Sequence, residues 1–269
     1  MHYDSSEERP DQIKGKYRQG ARRKEKNDFE IFGMHPILEA IDAGKTIDRI
    51  LIQRGLQGDL FKTLWDKIKE RNINYQLVPI QKLNRLTKKN HQGVFAFISP
   101  VEYETTADVL MRVFESGETP LFVVLDRVTD VRNFGAIART VECAGAQALI
   151  IADKGSARIN SDALKTSAGA LHRISVCKET SLKNLIHFLQ NSGLQVIACT
   201  EKTDKLIYEE NYDLPTALIL GSEEDGISDA FLEQANSSVK IPMEGKTASL
   251  NVSVAAGLIL YEAVRQRIK

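Results

Sequence analysis

An α/β fold follows from two patterns in this chain of 269 residues. From Pro120 onward short apolar runs recur: LFVVLD (121–126), ALIIA (148–152), LQVIACT (194–200), TALILG (216–221) and SVKIP (238–242). They are continuous rather than alternating, which is the signature of parallel strands covered on both faces. Segments of helical period separate them, near 134–144, 161–169, 181–191, 228–236 and 252–267. Before Pro120 the same alternation appears on a smaller scale, over about 70 residues, enough for a small domain.

Taken in order, residues 1–28 form a basic arm. Between Gln12 and Lys26 seven Lys and Arg stand against Glu25 alone. So few apolar residues accompany them that the arm is expected to lack structure of its own; it reads either as a solubilising tail or as an arm that tracks a phosphate backbone. The first domain is expected over 29–101. IFGMHPILEAI (31–41) opens a helix, and Ala43-Gly44 turns the chain into the strand DRILIQ (48–53). LFKTLWDKIKER (60–71) repeats its apolar residues at helical spacing. NYQLVPI (74–80) reads as a strand, IQKLNRLTKKN (80–90) as a helix, and GVFAFISP (93–100) as a strand closed by proline. Residues 102–119, with ADVLMRVFESG (107–117), read as a connecting helix, and 120–269 as the second domain.

Composition excludes several classes. Lys plus Arg equals Asp plus Glu at 36 each, so only the arm carries a strong charge bias. No apolar run approaches the roughly 20 residues that span a bilayer, and the N-terminus has no apolar leader core, so a cytoplasmic protein without a membrane partner is expected. Cys143, Cys177 and Cys199 are far apart in apolar or strand-like surroundings and read as buried, reduced thiols. The five histidines lack metal-ligand spacing, so no metal is expected. No G-x-S-x-G elbow, P-loop or G-x-G-x-x-G turn is present.

Three strand-to-helix junctions remain as carriers of chemistry. In LDRVTDVRNFGAIARTVECAG (125–145), Asn133 and Arg139 are six residues apart and meet one ligand only if the loop curls around the helix start. Read alone, Asn133 is equally a helix cap and Arg139 a member of a structural ion pair. In LILGSEEDGIS (218–228), a buried strand ends at Gly221, where backbone can approach a ligand. The acids Glu223, Glu224 and Asp225 favour a cationic ligand over an anionic one, although a plain charged turn fits equally. In VKIPMEGKTASLNVSVAAGLILYE (239–262), Ser249 and Asn251 flank Leu250 before a small-residue helix, as caps or as site residues.

Together the three segments resemble the motifs of the SpoU (TrmH) family of RNA ribose 2′-O-methyltransferases. The matching pieces are N-x-G-A-I-x-R-T (133–140), L-G-S-E-x-x-G-I (220–227) and I-P-M-x-G-x-x-x-S-L-N-V-S-V-A-A-G (241–257). The resemblance covers about 120–269, and the preceding unit is similar to the family's L30e-like RNA-binding domain. That pairing is similar to the RlmB type, which modifies a guanosine of 23S ribosomal RNA.

The resemblance implies a SPOUT α/β domain closed by a deep trefoil knot, a homodimer packed through the knot, and S-adenosyl-L-methionine as cofactor. It implies that Gly221, Ile241 and Leu250 offer backbone to the cofactor, with Thr200 lining the same pocket. It assigns catalysis to Arg139, with Asn133, Glu223, Ser249 and Asn251 orienting it and the ribose; spacing from Gly221 favours Glu223 over Glu224. The small residues after Asn251 would pack at the dimer interface. A ribose 2′-hydroxyl target excludes DNA. Lys88, Lys89 and Arg54, with the arm, would add phosphate affinity. A tRNA ribose methyltransferase of the same fold, or a non-catalytic RNA-binding factor, are the competing readings.

Overall fold

The computed structural model describes residues 29–247 and 249–268. The basic arm, 1–28, lies outside the described residues. The first sheet is built from β1 (Glu30–Phe32), β2 (Ile47–Gln53), β3 (Tyr75–Val78) and β4 (Val94–Ile98), in the order β1-β4-β2-β3. β4 runs antiparallel to both neighbours, and β2 pairs parallel to β3. Helices α1 (Met34–Asp42), α2 (Asp59–Glu70) and α3 (Ile80–Leu86) connect them. Ile50 and Ile52 pack under α1 and α2 with Ile37, Leu64 and Ile68, while Leu51 faces Leu83 and Phe95 on the other side. The unbroken run ILI at 50–52 thus serves two faces of one strand.

Two expectations for this domain shift. Residues 31–32 belong to a strand, because Gly33 at φ 91° breaks the chain before α1 begins at Met34. The helix expected to reach residue 90 stops at Leu86, where Thr87 turns extended.

The second sheet has seven strands, all parallel: β5 (Tyr103–Glu104), β6 (Leu121–Leu125), β7 (Ala148–Ala152), β8 (Ser175–Glu179), β9 (Gln195–Cys199), β10 (Thr216–Leu220) and β11 (Ser237–Val239). Their order is β11-β9-β10-β6-β7-β8-β5. α5 (Val131–Cys143), α6 (Ser161–Thr166) and α9 (Val252–Arg267) contribute to the core on one face. α4 (Thr106–Glu115), α7 (Leu182–Asn191) and α8 (Asp229–Leu232) pack on the other. The chain lays β6, β7 and β8 outward in one direction, then crosses back to place β9 and β10 on the far side of β6. In open parallel sheets that reversal opens a crevice at the carboxyl ends of the strands, where ligands bind.

Two strands were not legible. β8 buries only Val176 and Cys177 among polar neighbours, so it shows no apolar run. β5 has two residues and pairs with β8. It draws the stretch 102–119 into the second sheet, and Val109, Leu110 and Val113 of α4 complete the packing.

Candidate active site

The loops after β9, β10 and β11 enclose a cleft of about 310 Å³, within the range of small-molecule sites. Thr200, Gly221, Glu223, Ile241, Ser249 and Leu250, all singled out from the sequence, line it. Leu220, Val252 and Ala255 supply apolar wall, and Met243 stands at the mouth, 40% exposed.

The loop after β10 is a tight reversal. Ser222 and Gly226 exchange backbone hydrogen bonds at 3.2 and 3.0 Å, and Gly226 takes φ 66°. A Cβ on Gly221 would stand 2.1 Å from the carbonyl carbon of Gly226. Gly221 is therefore required by the fold-back of its own loop, before any ligand is considered.

Arg127 fixes this loop from outside. It sits in the left-handed region at φ 56°. Its guanidinium donates to Asp225 Oδ2 at 3.1 Å, to the Gly226 carbonyl at 3.2 Å and to Asp126 Oδ1 at 3.2 Å. Asp126 is buried and also accepts from the Ser228 amide at 2.8 Å. The end of β6 and the loop after β10 are thereby tied together. The sequence reading missed Arg127 and Asp126; the acid run 223–225 asked for a cation, but nothing local said which one.

The three motifs meet at the rim. Glu223 Oε1 accepts from Asn133 Nδ2 at 2.9 Å and from Asn251 Nδ2 at 2.5 Å. Asn251 Nδ2 also donates to Asn133 Oδ1 at 3.0 Å. Asp130, not Asn133, caps α5, accepting from the amides of Arg132 and Asn133 at 2.9 and 2.8 Å. That frees the Asn133 side chain for Glu223. Asn251 does cap α9, through the Ser253 amide at 2.9 Å, and cross-links the rim as well. Glu224 makes no such contact among the described residues, so Glu223 is the acid that joins the motifs.

Arg139 does not join them. Six residues beyond Asn133 it has turned to another face of α5, is exposed, and has no hydrogen-bond or ion-pair partner among the described residues. The structural ion pair that the sequence allowed is absent there. Two of the small residues of α9 meet the chain's own core. Ala256 is fully buried against the chain's own core, and Gly257 lies beside Thr140 of α5. The outer face instead carries Val254, Leu258 and Tyr261, exposed at 50%, 42% and 51%.

Charge in the cleft is acidic. Asp225 is tied to Arg127 and Lys240 to Asp204, leaving Glu201, Glu223 and Glu224 without an ion pair among the described residues. Burial pushes the Cys199 thiol on the cleft wall up to about 12, so it stays protonated. The arrangement can hold a small cationic molecule with an apolar flank, beside a polar rim open to a large substrate.

Comparison with known proteins agrees with this geometry. Residues 120–261 match the model of the SpoU rRNA Methylase family, and residues 31–104 match an RNA 2′-O ribose methyltransferase substrate binding domain. A Staphylococcus epidermidis protein described as a TrmH family tRNA/rRNA methyltransferase is 34% identical over 241 residues, 89% of this chain and 96% of the relative. Among solved structures, the SpoU methyltransferase AviRb from Streptomyces viridochromogenes in complex with AdoMet is 26% identical, with TM-score 0.58 over 89% of this chain and 90% of that one. The A. aeolicus TrmH/SpoU tRNA modifying enzyme is 34% identical, with TM-score 0.52 over 60% of this chain and 83% of its own. With both domains matched in order, and the motif residues of the second other than Arg139 gathered at one cleft and its rim, the chain belongs to the SpoU (TrmH) methyltransferase family.

Proposed function

We propose that the chain transfers the methyl group of S-adenosyl-L-methionine to a ribose 2′-hydroxyl of RNA, the target being a guanosine of 23S ribosomal RNA. The observation that carries this reading is the Asn133–Glu223–Asn251 constellation at the rim of an acidic cleft. The cleft residues fit the cofactor: the backbone at Gly221, Ile241 and Leu250 is available on its wall, Leu220 and Val252 suit an adenine, and unpaired carboxylates suit a sulfonium. When bound, the cofactor supplies an electrophilic methyl group on a positive sulfur.

The chain's own residues then position and polarise. Asn133 and Asn251 hold the Glu223 carboxylate at the rim, and Ser249 orients the ribose. Arginine stays protonated in proteins, so Arg139 acts as a clamp on the adjacent phosphate and a stabiliser of developing alkoxide charge, not as a base. The hydroxyl proton passes to phosphate or water. Arg139 is remote from its own rim, and α9 exposes an apolar stripe at i, i+4 and i+7. Both features support a homodimer formed through this region, which the family resemblance associates with a deep trefoil knot. The same resemblance supports an L30e-like identity for the first domain, domain limits at 29–101 and 120–269, phosphate contacts from Arg54, Lys88 and Lys89, and a cytoplasmic setting. Among the described residues no helix is long and apolar enough to cross a membrane.

A tRNA target is the second reading, favoured by the tRNA/rRNA description of the relatives. The test is ribose-methylation mapping of total RNA with and without the gene, paired with calorimetry against S-adenosyl-L-methionine. One lost 2′-O-methylguanosine in 23S RNA is expected. A lost site in tRNA selects the second reading, and absence of cofactor binding leaves a non-catalytic RNA-binding factor.

A further inference from the structure

The two sheets meet along a seam where each contributes an arginine. Arg49 lies on β2, in register with Phe97 of β4. Arg158 comes from the loop between β7 and α6, and its guanidinium carbon lies 4.0 Å from the centroid of the Phe97 ring. Both arginines, with Ser156, line one narrow crevice at the seam. Folding thus brings two positive charges to one aromatic residue, Arg158 over its ring and Arg49 beside it across the strands. Arg158 registers the cost: burial first, and then the field of Arg49, hold it below the usual arginine range.

Among the described residues no hydrogen bond or ion pair answers these charges. Asp48 is engaged by Tyr103 at 2.7 Å and Lys178 at 2.9 Å. Asp153 accepts from Asn74 at 2.5 Å. Glu30 stands opposite Phe97 on β1; its field and that of Asp48 reach Arg158, but neither is bonded to it. Ser156 Oγ is buried without a partner on the crevice wall. A guanidinium held over a ring by cation–π attraction still has N–H groups to offer beyond the ring, in the fork that suits phosphate oxygens.

We propose that Arg49 and Arg158 form a clasp for one backbone phosphodiester of the RNA substrate, with one arm from each domain. The crevice is narrow, so the outer N–H edges at its mouth receive the phosphate. The contact is independent of base identity. It makes RNA affinity depend on the relative placement of the two domains, because neither arginine alone supplies both forks. The proposal rests on RNA being the substrate.

The test measures RNA binding by the full chain across a salt series, for wild type, Arg49→Ala, Arg158→Ala, the double variant, and Lys183→Ala on α7 as a distant exposed control. Loss of both arginines is expected to reduce the slope of log K against log salt by about 0.7–0.9, the share of one phosphate, each single loss by part of that, and the control by much less. KM for RNA is expected to rise about tenfold in the double variant, with kcat and cofactor affinity unchanged. Arg158→Lys, which keeps the charge and loses the planar fork, is expected to retain the slope while weakening binding. Unchanged slopes overturn the proposal. So does a lowered Tm or altered scattering radius in the alanine variants at wild-type slope, which would make Arg158 only a strut between domains. A wild-type chain that binds RNA without methylating it leaves the slope test intact and counts against the enzymatic reading alone.

Discussion

Asn251 Nδ2 lies 2.5 Å from Glu223 Oε1 while Asn251 Oδ1 accepts the Ser253 amide at 2.9 Å. One side chain therefore caps α9 with its oxygen and cross-links the motifs with its nitrogen. Asn251→Asp separates the two tasks. Aspartate caps a helix as well as asparagine does, but it turns a donor to Glu223 into a second carboxylate. Tm is expected to stay within a few degrees while the single-turnover methyl-transfer rate falls about 100-fold. Adding Glu223→Gln, which can donate to the new carboxylate, is expected to recover part of the loss. Calorimetry beside rapid-quench kinetics checks this; a rate that merely follows stability would remove Asn251 from the mechanism.

Gly221→Ala tests the turn beneath that rim. The new Cβ would stand 2.1 Å from the Gly226 carbonyl carbon and 2.3 Å from the Ile227 nitrogen, both backbone atoms that cannot rotate away. The 222–226 loop must shift, at an expected cost of about 1–3 kcal/mol in denaturant unfolding. Cofactor affinity is expected to fall at least about tenfold, because a contact displaced by a fraction of an ångström loses most of a hydrogen bond. Wild-type affinity by titration calorimetry would mean that the cofactor does not depend on this loop.

Arg127→Gly acts on the same loop with the opposite effect on backbone strain. A non-glycine residue at φ 56° carries about 1 kcal/mol of strain that glycine does not. Losing the contacts to Asp225 and Gly226 loosens the loop, and losing the strain compensates the fold. Tm is expected to change little while cofactor affinity drops about fivefold, roughly the net worth of one ordinary hydrogen bond. Unaltered affinity would show that the loop holds its shape without the clamp.

These residues also show where sequence reading stops. Continuous apolar runs located β6, β7, β9 and β10 to within a residue or two, because a strand buried on both faces has no polar position to blur it. β8 escaped because its ends are Ser175, Lys178 and Glu179. Asp130 and Asn133 are both good caps three residues apart, and pattern alone could not say that Val131 is the first helical residue. Arg127 meets Asp225 across 98 positions, and Lys178 meets Asp48 across 130; neither pairing leaves a local trace. The rim was legible because its motifs resemble those of a known family, whereas the clamp and the seam are products of tertiary packing.

Tyr103 makes the seam sensitive to alkali. Its hydroxyl donates to Asp48 at 2.7 Å, and burial, followed by the Asp48 charge, pushes its pKa well above the ordinary tyrosine value. A folded-state pKa above the unfolded value of about 10 means that the stabilisation is complete below that pH and is lost as pH rises past it. Tm is expected to fall steeply above about pH 10. Tyr212, also raised by burial, contributes to the same fall. Tyr103→Phe is expected to be less stable at neutral pH and to show a shallower alkaline slope. An identical slope in the variant would place the alkaline transition elsewhere.

The cysteines report on the cleft itself. Burial raises Cys177 and Cys199 to about 12, whereas Cys143, expected to be buried, is exposed near the C-terminal end of α5. Raised pKa values mean that both thiols stay protonated throughout the neutral range, with about 1 in 10,000 ionised at pH 8. The thiolate is the reactive form, so iodoacetamide at pH 8 is expected to add one label per native chain, at Cys143, and three after denaturation. Intact-mass and peptide analysis checks this. The consequence for chemistry is specific to Cys199, which lines the cleft. A thiolate there would compete with the ribose oxygen for the cofactor's methyl group; a protonated thiol does not. Labelling of Cys199 as fast as Cys143 would show the cleft wall open to solvent, and would require another way of protecting the methyl donor from sulfur.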